Sequence, residues 1–257
     1  MTRVTTDDAL WLQRFHLAPA HNPGNPRLAC FPHAGGSASF FFSFSRSLAG
    51  VLEVVAVQYP GRQERRGEPC FGSMAELADQ VFTVLKRMTD RPLALFGHSM
   101  GAIAAFEVAR RLENKAGVSP ATLFVSSRRA PSQYRAEHVH QQNDEGLVAE
   151  IKALSGTDTR ILDNQELLRM VLPTIRSDYE AIETYQYQDA LKLHCPIHAF
   201  VGDADPRATI EEVAAWDQCT TGQFTLSVFS GGHFYLNEHQ VDVAKAVTRT
   251  LLGGVGG

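Results

Sequence analysis

The feature that most constrains the fold is an alternation of strand-like and helix-like segments that begins at residue 28. Short apolar or β-branched runs predict six strands, at residues 28–31, 51–57, 93–96, 122–127, 197–201 and 224–229. Segments whose apolar residues recur at helical spacing lie between these runs. Strands that alternate with helices predict an α/β protein, with a mostly parallel sheet and helices on both of its faces.

Helix boundaries can be placed from capping signals. The tetrapeptide SMAE at residues 73–76 fits a capping box, and a second helix is expected from about residue 99 to 112. Further helices are expected near 210–217 and after Asn237. Residues 1–26, which contain three prolines, are expected to form an irregular lead-in, and the C-terminal GGVGG tail is expected to be mobile.

One long interval interrupts the alternation. The stretch 128–195 far exceeds the dozen or so residues that a crossover between parallel strands needs, so it predicts a helical insertion, a lid at about 130–190. Asp163 and Glu166 could cap a second helix of this insertion, and Pro173 fits the first turn of a third helix at about 173–186. Four apolar residues share one face of its first helix, namely Leu147, Val148, Ile151 and Leu154. Of these, Leu147, Ile151 and Leu154 could line an acyl pocket or only pack the lid together.

Bulk properties exclude several classes of protein. A chain of 257 residues with 44% hydrophobic content can bury one large core, so residues 1–257 are expected to form a single domain. A net charge of −4 without a basic stripe argues against nucleic-acid binding. No apolar run reaches the ~18 residues of a membrane span, and no secretory signal is evident. Four scattered cysteines fit a reducing compartment, so a cytoplasmic location is expected.

The chemistry is indicated by the pentapeptide GHSMG at residues 97–101, which follows a predicted strand and opens a predicted helix. In that context the G-x-S-x-G pattern predicts a nucleophile elbow, a turn so tight that it needs glycines and projects the serine hydroxyl above the sheet edge. Ser99 is therefore the candidate nucleophile. His98 is adjacent in sequence, so its side chain should point away from Ser99 and pack.

A serine nucleophile needs a positioned base and an acid, and in this fold they follow the serine in the order acid, then histidine. His233 follows a predicted strand and a glycine pair, which places it at the carboxyl edge of the sheet. The turn after strand 197–201 offers Asp203 and Asp205, and the pattern alone does not separate them. His194 and His198 flank that strand and are interpreted as structural.

Hydrolysis of an acyl ester also requires donors for the developing oxyanion. One is expected to be the backbone N–H of Met100, the residue after the nucleophile. The second should come from the loop FPHAGGS at residues 31–37, in which Ala34 takes the second place of an H-G-G-G-like motif. Together these residues predict an α/β-hydrolase fold. No metal site and no nucleotide-binding motif is recognisable, so no cofactor is expected.

Five motifs carry a resemblance to a known family: FPHAGG (31–36), QYPGR (58–62), FGHSMGA (96–102), GDADP (202–206) and GGHFY (231–235). Along most of its length the chain resembles the type II thioesterases that accompany modular polyketide synthases and nonribosomal peptide synthetases. The resemblance implies a triad of Ser99, Asp205 and His233, with Ala34 and Met100 in the oxyanion hole. It also implies removal of stalled or wrong acyl groups from the phosphopantetheine arm of acyl or peptidyl carrier proteins.

Three other functions remain open at this point. A generic carboxylesterase or lipase would use the same triad, and an acyltransferase would replace water by another nucleophile. A non-catalytic carrier-protein-binding module is the third, although the intact set of triad residues argues against it.

Docking of an acidic carrier protein would need a local basic surface on this acidic chain. Two clusters at the carboxyl ends of predicted strands could supply it, namely Arg62, Arg65 and Arg66, and Arg128, Arg129 and Arg135. For Arg62, which lies inside a family motif, an internal ion pair is an equally good interpretation.

Overall fold

The structure, a computed structural model, describes residues 6–17, 24–154, 164–188 and 192–253, and a seven-stranded sheet runs through them. Its strands are β1 (Leu12–Gln13), β2 (Arg27–Phe31), β3 (Glu53–Val57), β4 (Leu93–His98), β5 (Leu123–Ser126), β6 (Ile197–Gly202) and β7 (Phe224–Phe229). The spatial order is β1-β3-β2-β4-β5-β6-β7. Strand β1 pairs antiparallel with β3, and every other pair is parallel.

Helices cover both faces of this sheet. In the described ranges they are α1 (Thr6–Trp11), α2 (Phe42–Leu48), α3 (Met74–Leu85), α4 (Met100–Ala116), α5 (Asp144–Leu154), α6 (Gln165–Glu183), α7 (Ile210–Ala214) and α8 (Gln240–Leu252). Helices α3 and α4 pack into one large apolar core, while α2 and α8 pack into the core on the opposite face. Strands β2 to β6 are buried along their whole length, which explains why their sequences are mostly apolar. The predicted α/β architecture is confirmed.

The N-terminal region differs from the prediction of an irregular lead-in, because it contains α1 and β1. Leu12 is buried and pairs with Val57 at the edge of the sheet. The guanidinium of Arg65 stacks 4.0 Å from the ring centroid of Trp11. These contacts come from residues some fifty positions along the chain, so the local polarity of the N-terminus did not reveal them.

The predicted third helix of the insertion is also wrong, since α6 runs without interruption through Pro173. A proline inside a helix removes one hydrogen bond. That loss is compensated here because the buried face of α6 continues past Pro173, from Leu172 to Ile182. Asp163 lies outside the described residues, and the N-cap is Asn164, whose side chain accepts the N–H groups of Glu166 and Leu167 at 3.0 and 3.1 Å.

Other helix ends deviate from the prediction in smaller ways. Helix α4 extends to Ala116, where Gly117 ends it in the left-handed conformation at φ 64°. Helix α8 begins at Gln240 without a side-chain cap, because Asn237 belongs to a preceding 3-10 turn. Ser73 caps α3 as predicted by accepting the Glu76 N–H at 3.2 Å. In the parts of the chain that the structure describes, no helix combines the length and apolarity that crossing a membrane requires.

The insertion between β5 and β6 has a small apolar cluster of its own. We refer to this cluster as the lid cluster; it consists of Val139, Leu147, Ile151, Leu172 and Ile175. Of the two roles left open for Leu147 and Ile151, the structure places both in packing of the lid. Mobility of residues 130–190 remains a prediction.

We expect the backbone amides of α5 to exchange with solvent faster than those of α4. Helix α5 is buried only through its residues in the small lid cluster, whereas α4 is buried against the sheet. Segments with few buried contacts open at lower free energy. Native-state hydrogen exchange followed by mass spectrometry measures this difference. Equal protection of both helices, with and without a bound substrate analogue, would contradict a mobile lid.

Candidate active site

The sharp turn between β4 and α4 presents Ser99 at the carboxyl edge of the sheet. Ser99 has φ 55° and ψ −121°, a strained conformation for a residue other than glycine. A Cβ at Gly97 would lie 2.2 Å from the carbonyl oxygen of Gly101, and one at Gly101 would lie 2.1 Å from that of Phe31. Both glycines are therefore required by backbone crowding, as the elbow motif predicts.

The structure brings the three predicted triad residues together. The Nε2 atom of His233 lies 2.9 Å from Ser99 Oγ, and its Nδ1 atom lies 3.0 Å from both carboxylate oxygens of Asp205. The carboxylate favours the tautomer with the proton on Nδ1, which leaves Nε2 free to accept the serine proton. Asp205 and His233 are only 7% and 5% exposed, so water competes little for these hydrogen bonds. The arrangement has the geometry needed for nucleophilic catalysis.

The two aspartates of the turn after β6 differ in what they contact. Asp205 faces His233, and its Oδ1 atom also accepts the backbone N–H of Arg207 at 2.8 Å. Asp203 is exposed, and its Oδ1 atom accepts the backbone N–H of Gly231 at 2.9 Å. Geometry thus favours Asp205 as the acid, while Asp203 fixes the loop that carries the histidine.

Further polar residues hold that loop in place, and the sequence analysis did not identify them. Ser127 donates from Oγ to the carbonyl oxygen of His233 at 2.8 Å. Ser126 Oγ lies 2.7 Å from the hydroxyl of Tyr235 and 3.0 Å from Nδ1 of His98. Ser126 ends β5 and Ser127 follows it directly, so their position at the end of a central strand was the available signal.

Two further histidines near the site are neutral and pack as aromatic rings. Burial, followed by the charge on His233, lowers the pKa of His98 well below its usual value. Burial and the charges on His233 and Arg62 lower the pKa of His33 to about 3. The His33 ring packs edge-on against Phe40, with centroids 4.6 Å apart. The His98 ring stacks on Phe40 with centroids 5.3 Å apart, which is the packing role predicted for it.

The predicted oxyanion donors lie beside the nucleophile. Met100 begins α4, and backbone N–H groups in a first helical turn have no partner within the helix. Ala34 follows β2, in the loop that the close contact between Gly101 and Phe31 holds against the elbow. Ala34 and Met100 line the same small cavity as Ser99. Their role in binding an oxyanion remains a prediction.

This cavity has a volume of about 40 Å³ and is roofed by the insertion. Leu154 of α5 and both Tyr179 and Ile182 of α6 contribute to its wall. Leu154 is thus the member of the predicted apolar set that reaches the site. Arg128 also lines the cavity, and burial together with the nearby Arg129 lowers its pKa to about 10, so it is protonated at neutral pH. Within the described ranges no group of three or more metal-ligating side chains occurs.

The predicted basic docking surfaces are wrong as to Arg65 and Arg129, whose guanidinium groups are buried in ion pairs. For Arg62, the alternative of an internal ion pair is the one that the structure contains. Arg65 and Arg129 are about 95% buried. The ion pairs formed are Arg62 with Asp178, Arg65 with Glu68, Arg129 with Glu137, and Arg135 with Glu212. Arg66 is the exposed member of the first cluster. A sequence shows where positive charges occur but not which of them form ion pairs with carboxylates.

Comparison with known proteins is consistent with this geometry. A family model described as "Thioesterase domain" matches residues 26–251. The chain is 50% identical over 250 residues to "Thioesterase PikA5" of Streptomyces venezuelae, covering 97% of this chain and 88% of that protein.

Solved structures that resemble this chain are also thioesterases. The type II thioesterase BorB from the borrelidin biosynthetic cluster superposes with a TM-score of 0.86 at 50% identity, covering 94% of this chain and 98% of that one. YbtT, a type II thioesterase from the yersiniabactin NRPS/PKS pathway, superposes with a TM-score of 0.83 at 29% identity, covering 96% and 100%. These likenesses confirm the α/β-hydrolase fold.

We expect Asp205→Asn to reduce kcat far more than Asp203→Asn. An asparagine at 205 would favour the wrong imidazole tautomer, and in a serine protease this change lowers kcat about 10⁴-fold. An asparagine at 203 can still accept the Gly231 N–H, so its effect should be small. Steady-state hydrolysis of a small acyl thioester measures both variants. Equal losses, or a larger loss at 203, would contradict the assignment.

Proposed function

This chain belongs to the thioesterase family, and we propose that it is a type II thioesterase which cleaves acyl groups from the phosphopantetheine thiol of acyl or peptidyl carrier proteins. The observation that carries the proposal is the hydrogen-bonded series Asp205, His233 and Ser99 in a chain of this family. In this role the enzyme clears stalled or wrongly primed synthases.

The proposed reaction proceeds through an acyl-enzyme. Ser99 Oγ attacks the thioester carbonyl while His233 Nε2 takes its proton, and Asp205 stabilises the imidazolium that forms. The N–H groups of Ala34 and Met100 bind the oxyanion of the tetrahedral intermediate. As the carbon–sulfur bond breaks, His233 returns the proton to the departing thiol. A water molecule then attacks the acyl-enzyme with His233 as base, which releases a carboxylic acid and restores Ser99.

A thioester suits this site for a chemical reason. A thiol has a pKa near 8.5, so a thiolate leaves far more easily than an alkoxide or an amine anion. The triad therefore needs to supply less leaving-group assistance than a peptidase requires.

Names of the relatives support a carrier-protein partner. One relative is described as a probable cadicidin biosynthesis thioesterase of Streptomyces griseus, with 49% identity, and the similar structures come from synthase pathways. Synthases of these kinds hold their intermediates as thioesters on carrier proteins, so the substrate of this chain is proposed to arrive on such a domain. The proposal includes a cytoplasmic location, which fits four scattered cysteines, three of them buried.

We expect Ser99→Ala to abolish release of free thiol from a propionyl carrier protein without changing the fold. Loss of a triad nucleophile leaves a residual of about 10³–10⁴-fold over water, which arises from binding and the oxyanion hole. Ser47→Ala, on the exposed face of α2, is the matched control and should retain full activity. Circular dichroism checks folding. Near-wild-type turnover by Ser99→Ala would refute the mechanism.

A matched substrate pair separates the proposal from a generic esterase. We expect kcat/KM for a propionyl thioester to exceed that for the corresponding oxyester by at least about tenfold, or 1.4 kcal/mol. Equal values would favour a carboxylesterase. Transfer of the propionyl group to an added alcohol or amine, rather than to water, would favour an acyltransferase.

A further inference from the structure

The QYPGR motif at residues 58–62 has no part in the reaction proposed above, yet its side chains form hydrogen bonds with the loop that carries Ala34. We call residues 32–38 the oxyanion loop. At one end of this loop, the hydroxyl of Tyr59 donates to the carbonyl oxygen of Pro32 at 3.1 Å. At the other end, Oε1 of Gln58 accepts the N–H of Ala38 at 2.8 Å. The motif therefore fixes both ends of the loop.

The middle of the oxyanion loop is held by an ion pair between the motif and the lid. Asp178 of α6 is fully buried and binds Arg62 through two hydrogen bonds, Nη1 to Oδ2 at 2.7 Å and Nη2 to Oδ1 at 2.8 Å. The same Oδ2 atom accepts the backbone N–H of Gly35 at 2.7 Å. Arg62 Nη1 also donates to the carbonyl oxygen of Gly36 at 2.9 Å. Three N–H donors, two from Arg62 and one from Gly35, thus meet at the carboxylate of Asp178.

Packing seats the same part of α6 on the loop. Gly35 has φ 74°, and a Cβ there would lie 2.7 Å from Cγ1 of Ile175, so the helix rests directly on this glycine. Thr174 donates from Oγ1 to the carbonyl oxygen of Gly61 at 2.9 Å. These contacts all involve the half of α6 that follows Pro173. The preceding half instead exposes Leu167 and Met170.

The anchored atoms flank the predicted oxyanion donor. The N–H of Gly35 belongs to the peptide that follows Ala34, and two consecutive glycines leave this stretch of backbone with wide conformational freedom. Binding of Gly35 N–H and Gly36 O at fixed points removes that freedom and sets the direction of the Ala34 N–H. The Gly35 N–H is bound by Asp178, which is on the lid helix α6. The direction of the Ala34 N–H therefore depends on the position of α6.

We propose that Asp178 is a positioning residue, which completes the oxyanion hole by joining the lid helix and Arg62 to Gly35. The inference rests on the proposed function, since it takes the Ala34 N–H as an oxyanion donor. When the carboxyl-terminal half of α6 is seated, the donor is aligned; when it is displaced, the serine and histidine remain in place but the hole is incomplete. Lid position and catalytic rate are thereby coupled.

Two substitutions of Asp178 remove this interaction in part or completely. Asp178→Asn retains an acceptor for the Gly35 N–H but loses the charge that holds Arg62, and Asp178→Leu removes both. With a propionyl N-acetylcysteamine thioester we expect kcat to fall about 10- to 100-fold in Asp178→Leu and less in Asp178→Asn, because misplacement by about 1 Å can cost 10²-fold. KM should stay within about twofold. Asp144→Asn is the matched control. It breaks the ion pair between Asp144 of α5 and Arg176 of α6, the helix that also carries Asp178, and it should keep kcat.

A transition-state analogue provides a readout that a purely structural role would not move. A trifluoromethyl ketone adds to Ser99 and places an oxyanion in the hole, so its Ki should rise in step with the loss of kcat/KM across the series. The double variant Arg62→Gln/Asp178→Asn removes both buried charges together and carries the test if Asp178→Leu does not fold.

The possible outcomes separate this inference from the proposed function. Folded Asp178 variants with unchanged kcat and Ki would overturn the coupling, as would an equal loss in Asp144→Asn. If the wild-type protein hydrolyses no thioester, the proposed function fails, and the analogue-binding series still decides whether Asp178 aligns the hole.

Discussion

The rest of the site depends on one close contact between backbones, where the elbow crosses the end of β2. Gly101 leaves no room for a side chain against the carbonyl of Phe31, and Gly97 leaves none against Gly101. This crowding holds Ser99 in a strained conformation and brings the oxyanion loop beside it. The positions of nucleophile and predicted donors are therefore consequences of the same contact, and neither can shift without the other.

Much of the fold could be predicted because its signals are local. Buried parallel strands carry unbroken apolar runs, and a nucleophile elbow leaves a glycine pattern that backbone crowding enforces. The choice between Asp203 and Asp205 could not be made from spacing, since both follow β6 directly. The structure favours Asp205, because its carboxylate lies within hydrogen-bond distance of His233, a contact between residues 28 positions apart in the sequence.

The failures share a physical cause, namely that long-range partners override local preference. Arg62 pairs with Asp178 from 116 positions away, so no pattern within the QYPGR motif reveals the pair. Likewise, the sequence around Pro173 predicts the start of a helix. The structure shows that α6 continues through Pro173, with buried residues on both sides of it. Burial of Arg65 and Arg129 involves distant partners besides their nearby carboxylates, because Arg65 stacks on Trp11 and Arg129 donates to the carbonyl oxygen of Arg207.

Anchoring of α6 also changes what a lid can mean in this protein. A cover that moved as one body would break the Asp178 contacts at every opening and leave the Arg62 guanidinium buried without its partner, which is costly. The contacts with the oxyanion loop come from the part of α6 that follows Pro173. Leu172 before Pro173 and Ile175 after it both belong to the lid cluster, so α5 and both halves of α6 pack together. Displacement of α6 would therefore cost both this packing and the buried contacts of Asp178.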